Sequence, residues 1–164
     1  MKRLTALAVL AAGVGLVGYA LFSAPSDEEQ IKQVLDDLAR AVSYSEPQNP
    51  LQRTAQLNGA FKDIFTQNVS VRIVELGADT TGRAPLGQLG ARASLGYQSL
   101  ELGFSGVSLE AGEAAANVSA TAELSGTGSN GPRTDERHTE FRFEKVDGDW
   151  RIARVRVSPP EDAE

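Results

Sequence analysis

The period of the hydrophobic pattern changes near Val69, and this change limits the folds that the chain can adopt. Before Val69 apolar residues recur every three or four positions, and beyond it they alternate with polar residues. The first spacing is typical of amphipathic helices and the second of half-buried strands. Helices followed by a run of strands are typical of α+β domains. We therefore predict two or three N-terminal helices packed on a curved antiparallel sheet.

The helix boundaries are marked by capping residues. Ser26 is a good N-cap, and Glu29 completes the S-x-x-E capping box of the first helix. Asn49 and Pro50 mark the start of a second helix as cap and first-turn proline. A short third helix is predicted over residues 85–95. The apolar stripe of the second helix contains Leu57, Phe61, Ile64 and Phe65.

Alternation predicts a strand from Val69 and further strands over residues 97–109, 114–124, 137–146 and 150–157. Residues 79–82 are predicted to form a turn. Asp147 and Gly148 predict a tight hairpin turn between the last two strands. Gly103 and Gly106 are placed where a bulge or a sharp curve would be tolerated. A bulge is expected near residues 153–154, where the apolar positions change parity.

An apolar segment precedes this domain. Residues 4–22 are uncharged and, as a helix, would span about 28 Å, close to the thickness of a bilayer core. Lys2 and Arg3 would keep the N-terminus in the cytoplasm and place the body outside. The alternative is a signal peptide cleaved near Ala20. We therefore divide the chain into an anchor or signal (1–24), a domain (25–158) and an acidic tail (159–164).

The composition excludes several kinds of site. The chain has no cysteine and one histidine, which rules out disulfides, thiolate metal sites and multi-histidine sites. Residues 25–164 hold 14 basic and 22 acidic residues, a net charge of −8. Such a body does not favour binding to nucleic acid through phosphates. We expect no metal, no cofactor and no nucleic acid partner.

The order of elements and the closing segment, residues 141–155 (FRFEKVDGDWRIARV), resemble the nuclear-transport-factor-2-like superfamily. This superfamily includes SnoaL-like cyclases and steroid isomerases, and the resemblance covers residues 27–158. It implies a cone-shaped α+β domain. Because this fold hosts enzymes, ligand binders and assembly modules, it does not by itself imply an activity. The catalytic carboxylate motifs of the enzymes have no matching positions in this sequence, so the resemblance assigns no catalytic residue.

Two groups of side chains are candidates for function. Phe61, Phe65, Phe141 and Trp150 are predicted to line the cone. His138 has the strand parity of Glu140 and Arg142, opposite Phe141 and Phe143, which predicts that it lies on the outer face. We interpret His138, Glu140 and Arg142 as a candidate interaction face. Tyr44, Asp79 and Tyr97 could reach the mouth of a cone, but structural roles are favoured for them.

The sequence thus predicts an extracytoplasmic, membrane-anchored module that binds a partner or a small apolar ligand without catalysis. Its expected location is the bacterial inner membrane, with the body in the periplasm or outside. Expected partners are the membrane, through residues 4–22, and a second copy or another envelope protein. The alternative function is a SnoaL-like or isomerase-type enzyme acting on a small apolar ring compound. If the N-terminus is cleaved, the product is a secreted binder.

Overall fold

A computed structural model describes residues 25–160. The predicted anchor or signal and residues 161–164 of the acidic tail lie outside this range. Within it, no helix combines the length and the apolar character needed to span a bilayer. The helices are α1 (Asp27–Val42), α2 (Pro50–Ile64) and α3 (Arg83–Ser94), and the strands are β1 (Phe65–Ile73), β2 (Ala78–Thr81), β3 (Tyr97–Ala111), β4 (Ala115–Gly128), β5 (Gly131–Val146) and β6 (Asp149–Ser158).

Both predicted helix caps are confirmed. The Glu29 amide donates to Ser26 Oγ at 3.2 Å, and the Ser26 amide donates to Glu29 Oε2 at 2.8 Å, which completes the capping box of α1. At the start of α2 the Leu51 amide donates to Asn49 Oδ1 at 2.9 Å. These bonds satisfy backbone groups that a helix start leaves without partners. The third helix also forms, from Arg83 to Ser94.

The strands form one six-stranded sheet in the order β2-β1-β6-β5-β4-β3. The prediction of an antiparallel sheet was wrong at one position. β1 and β6 run parallel, and the sheet is therefore mixed. Parallel neighbours need a long crossover, and here all of α3 and β2 to β5 lie between the two strands in the chain. Alternation within each strand carries no information on such a distant partner.

The predicted turn at residues 79–82 was also wrong. Residues 78–81 form β2, an edge strand in which Thr80 lies opposite Val71 of β1. β4 and β5 are longer than predicted and meet at Ser129 and Asn130, where Gly128 pairs with Gly131. At the other hairpin, Asp147 and Gly148 have φ values of 55° and 94°, which confirms the predicted tight turn.

Bulges bend the sheet at both places that the sequence indicates, and the one on β6 was predicted outright. On β3 the pairing with β4 shifts between Ser105 and Ser108, and Gly106 there has a φ of 61°, a conformation that favours glycine. On β6, Arg154 lies opposite Arg142 while Ile152 lies opposite Phe143, so Ala153 is the extra residue. This bulge turns Trp150, Ile152 and Val155 to the same side of the sheet, where all three are buried.

The core lies between the helices and the concave inner face of the sheet. α1 packs on β3 and β6, α2 packs on α1, β1 and β6, and α3 packs on α2 and the sheet edge. The helices leave part of the inner face uncovered beyond the end of α1. The fully buried large side chains are Ile31, Leu57, Val69, Phe143, Trp150 and Ile152.

Candidate ligand-binding groove

The uncovered part of the inner face is an apolar groove of about 420 Å³. Its floor is formed by β3 to β6, and α1 and the end of β1 form its walls. The floor contains two cross-strand pairs: Phe104 lies opposite Ala122, and Phe141 lies opposite Val155. The apolar lining includes Leu38, Ile73, Phe104, Ala122, Phe141 and Val157. We call this site the groove.

One end of the groove carries three charged side chains. Arg137 Nε lies 3.0 Å from Glu75 Oε2, and Arg137 Nη1 lies 2.6 Å from Asp135 Oδ1. Asp135 and Arg137 have the same strand parity as Phe141, which directs them to the inner face of β5. Glu75 comes from the connection between β1 and β2. Two carboxylates and one guanidinium together give this end of the groove a net charge of −1.

Thr139 lies between these charged groups and Phe141 on β5. It lines the groove, and 3% of its surface is exposed. Its hydroxyl has no hydrogen-bond partner among the described residues. A buried hydroxyl without a partner is unfavourable, and most buried polar side chains in proteins do have one. The hydroxyl oxygen itself is covered, so a bound molecule could satisfy it after the Thr139 side chain turns to another rotamer.

No family model and no curated protein sequence matches this chain. Several solved structures do match it in fold. A nuclear transport factor 2-like superfamily protein from Salmonella enterica superposes with a TM-score of 0.66 at 11% identity, covering 85% of this chain and 96% of that one. A candidate scytalone dehydratase from Novosphingobium aromaticivorans gives 0.67 at 14% identity, with 84% and 95% covered. A further protein from that organism, described as NTF2-like with a cystatin-like fold, gives 0.62 at 16%.

The fold is nuclear-transport-factor-2-like. The mixed sheet with three helices on its inner face agrees with the cone expected from the sequence. At identities of 16% or less, the likeness establishes the fold and leaves the activity to be argued from the groove itself.

The four predicted cone-lining residues separate into two sets in this nuclear-transport-factor-2-like domain. Phe141 lines the groove, with its ring 5.5 Å from that of Phe104. Phe61, Phe65 and Trp150 are buried in the core, where the rings of Phe61 and Phe65 meet edge to face at 4.9 Å. The helices cover these three side chains.

Trp150 also fixes the start of α1. Its Nε1 donates to Asp27 Oδ1 at 2.9 Å, and Lys145 Nζ lies 2.7 Å from the same oxygen. The Lys145 ammonium is 5.1 Å from the centre of the Trp150 ring. The hydrogen bond from Lys145, with a further one from Trp150, lowers the pKa of Asp27 below its ordinary value. These contacts join the first turn of α1 to the β5–β6 hairpin.

The predicted interaction face lies on the opposite, outer side of the sheet. Glu140 and Arg142 are exposed and His138 is half-buried. Arg156 pairs across the strands with an acid, its Nε lying 3.7 Å from Glu140 Oε2. Arg154 lies opposite Arg142. Arg142 Nη1 donates to Asn117 Oδ1 at 3.5 Å, and its Nε lies 3.9 Å from Glu144 Oε1.

Tyr44, Asp79 and Tyr97, the other side chains considered from the sequence, lie away from the groove. Asp79 is exposed on β2 and lies 3.9 Å from Arg72. Tyr44 and Tyr97 line a separate cavity between α2 and α3. Among residues 25–160 no cluster of three or more His, Asp or Glu side chains could hold a metal ion.

Arg137 and Thr139 were not among the site residues predicted from the sequence. The signal was available, because Arg137, Thr139, Phe141 and Phe143 occupy alternate positions on one strand. Since Phe141 and Phe143 were expected to face the core, the polar residues at the same parity had to face it as well. A polar residue on the apolar side of a strand is the informative exception.

Proposed function

We propose that the domain binds a small, neutral, apolar molecule carrying one hydroxyl or carbonyl group, and binds it in the groove without chemical change. The observation that carries this proposal is the buried, unpartnered hydroxyl of Thr139, which lies between the apolar lining of the groove and its charged end. The volume of about 420 Å³ falls in the range of about 300–1,000 Å³ usual for small-molecule sites.

The charged end of the groove supports a neutral ligand. Glu75 and Asp135 together outweigh the single positive charge of Arg137, so an anionic group placed there would be repelled. The same pairing argues against catalysis. A general base must be able to take a proton from the substrate, and both carboxylates here already contact a guanidinium.

Binding can be tested with 1-naphthol, an apolar double ring with one hydroxyl. Titration followed by calorimetry should show one site, and naphthalene, which lacks the hydroxyl, should bind at least several-fold more weakly. Ala122→Phe would fill the floor of the groove and should abolish binding. Thr121→Phe is the matched control, because Thr121 is the neighbouring residue on the other face of β4. Equal binding by the two variants would refute the assignment.

The alternative is an enzyme of the SnoaL or isomerase type acting on a small apolar ring compound. It is favoured by the likeness to the candidate scytalone dehydratase. Incubation of the protein with hydroxylated naphthalenone compounds, followed by mass spectrometry, separates the two functions. Recovery of unchanged compound supports a binder. Loss of water or isomerisation that Asp135→Asn abolishes would support the enzyme.

We further propose that residues 4–22 anchor the chain in the bacterial inner membrane, with the domain in the periplasm. The uncharged 19-residue segment behind Lys2 and Arg3 supports this. Alkaline extraction of membranes carrying the full chain should leave the protein in the pellet. Recovery of the whole protein in the soluble fraction would instead support a secreted product cleaved near Ala20.

The outer face of the sheet is the proposed contact with a second copy. Arg142 and Arg154 lie beside Glu140 and Glu144 on this face, so a two-fold axis can bring basic residues of one copy onto acidic residues of the other. Arg142→Glu should then lower the mass measured by light scattering from dimer to monomer. A mass that does not change with this substitution would exclude the interface.

A further inference from the structure

Arg53 is a buried arginine that has no acidic partner. It lies in the first turns of α2, and 4% of its surface is exposed. None of the ion pairs among residues 25–160 includes it. Buried charges in proteins are normally paired, because removal from water is costly. Burial also lowers the pKa of Arg53.

The contacts that Arg53 does make account for part of its charge. Its Nη2 donates to the carbonyl oxygen of Val42, the last residue of α1, at 2.6 Å. The C-terminus of a helix carries a partial negative charge, so this contact is favourable for the guanidinium without supplying a full counter-charge. The guanidinium carbon also lies 4.9 Å from the centre of the Tyr44 ring. Nε is buried without a partner among the described residues.

Arg53 lines a cavity of about 230 Å³ on the helical side of the domain, away from the groove. We call it the Arg53 cavity. The α1–α2 loop, α2, α3 and the start of β3 form its walls, which include Tyr44, Pro47, Pro50, Leu95 and Tyr97. A water molecule occupies about 30 Å³ in the liquid, so the cavity has room for a small organic molecule.

The walls of this cavity are held by bonds to the sheet. The backbone of Tyr44 exchanges hydrogen bonds of 2.7 and 2.9 Å with Leu100 of β3. The hydroxyl of Tyr44 is shared as a donor between two carbonyl oxygens, that of Ser94 at 3.1 Å and that of Tyr97 at 3.2 Å. Because its hydroxyl is used in this way, Tyr44 presents a ring of fixed orientation beside the guanidinium.

We propose that the Arg53 cavity binds a small organic carboxylate, with its carboxylate group on Arg53 and its apolar body against Tyr44, Pro47 and Leu95. A carboxylate matches the planar donor fork of a guanidinium. A single arginine neutralises one negative charge, and aromatic and proline walls suit a carbon body better than a second set of anionic oxygens. A monoanionic organic acid therefore fits better than an inorganic phosphate.

The test uses benzoate, observed through the ¹⁵N–¹H resonance of the Arg53 Nε group and through the melting temperature. Benzoate should move this resonance and raise the melting temperature, as any ligand that binds only the folded state does. Benzamide, which has the same shape without the charge, should bind at least tenfold more weakly. Benzoate should not displace 1-naphthol, since the groove is a separate site.

Arg53→Met should reduce benzoate affinity at least tenfold. The matched control is Arg83→Met, because Arg83 also donates to a backbone carbonyl, that of Lys62 at 3.0 Å, but outside the cavity. Leu95→Trp provides a second variant in which Arg53 is retained. Leu95 is 65% exposed at the cavity mouth, so a larger side chain there should block entry without disturbing the core.

Three results would overturn the proposal. Benzoate binding that is unchanged in both Arg53→Met and Leu95→Trp would place the ligand elsewhere. The absence of any effect of benzoate would leave Arg53 as a capping residue of α1. Phosphate or chloride binding as tightly as benzoate would identify a site for inorganic anions instead. The result with 1-naphthol tests the groove separately, so the two proposals can fail independently.

Discussion

Arg142 of β5 and Arg154 of β6 lie directly opposite each other on the outer face of the sheet. A second such pair involves the next outward-facing residue of β6, Arg156, which lies opposite Arg72 of β1. Like charges at directly opposed positions destabilise a sheet. Three of these arginines have an acid nearby: Glu144 lies 3.9 Å from Arg142, Asp79 lies 3.9 Å from Arg72, and Glu140 lies 3.7 Å from Arg156. Arg154 has no ion pair among residues 25–160. A single substitution at Arg154 would therefore reduce the electrostatic repulsion on the outer face.

Arg154→Glu should raise the free energy of unfolding by about 0.2–1 kcal/mol, because it converts a like-charge pair with Arg142 into an opposite-charge pair. Urea denaturation followed by the fluorescence of Trp150, the single tryptophan, measures this. Arg133→Glu is the control for net charge, since Arg133 lies opposite Gly126. A gain of equal size in the control would assign the effect to overall charge.

Asp27→Asn should destabilise the domain at pH 7, because it removes the charge that Lys145 and Trp150 contact. The pKa of Asp27 is lowered in the folded state, so its contribution is complete above the ordinary carboxyl value of about 4. It is lost as pH falls through the folded value. The deficit of Asp27→Asn relative to the native chain, measured by urea denaturation, should therefore shrink in acid.

Glu28→Gln is the matched control for this pH experiment. It also removes an acidic residue from the first turn of α1, but Glu28 pairs with Lys32 at 2.6 Å on the helix surface. Exposed pairs contribute little to stability. The explanation fails if both variants lose the same stability at pH 7, or if the deficit of Asp27→Asn does not change with pH.

Thr139→Val should stabilise the empty domain by about 1 kcal/mol, because it replaces a buried, unpartnered hydroxyl with a methyl group. We expect a melting temperature higher by about 2–5 °C in calorimetry. The same substitution should weaken binding of 1-naphthol. Thr121→Val on the outer face is the control and should change little. A lower melting temperature for Thr139→Val would show that its hydroxyl is satisfied in the native domain.

Deletion of Ala153 should leave a domain that still unfolds cooperatively. Ala153 is the extra residue of the bulge, so its removal joins Ile152 to Arg154 and leaves Trp150, Ile152, Val155 and Val157 at alternate positions on one side of the strand. Deletion of Arg151, which lies opposite Glu144, is the matched control, because it moves Trp150 to the outer side at a cost of about 3 kcal/mol. Circular dichroism on heating measures the difference. Equal loss of cooperativity in the two deletion variants would contradict the assigned bulge.

Local signals in the sequence predicted much of the fold and little of the sites. Helix caps at Ser26 and Asn49 and the turn at Asp147 depend on neighbouring residues, so the sequence displays them directly. The parallel pairing of β1 with β6 joins segments that are distant in the chain, and β2 has four residues, too few for a clear alternation.

Arg53 illustrates a missed signal of another kind. Arg53 lies four residues before Leu57 and eight before Phe61, on the apolar stripe of α2. Helical periodicity therefore predicts its burial. The lack of an acidic partner could not be predicted, because an ion pair depends on residues that are distant in the chain. A cavity depends on side chains from four elements and has no counterpart in any single stretch of sequence.

The position of β6 sets the order in which the domain can be completed. Until this last strand is in place, the sheet exists as two unconnected parts, β1 with β2 and β3 with β4 and β5. During synthesis the core therefore cannot close until the final strand has left the ribosome. A chain truncated before residue 149 lacks the strand that joins the two parts, and its exposed strand edges would make it a substrate for chaperones and proteases.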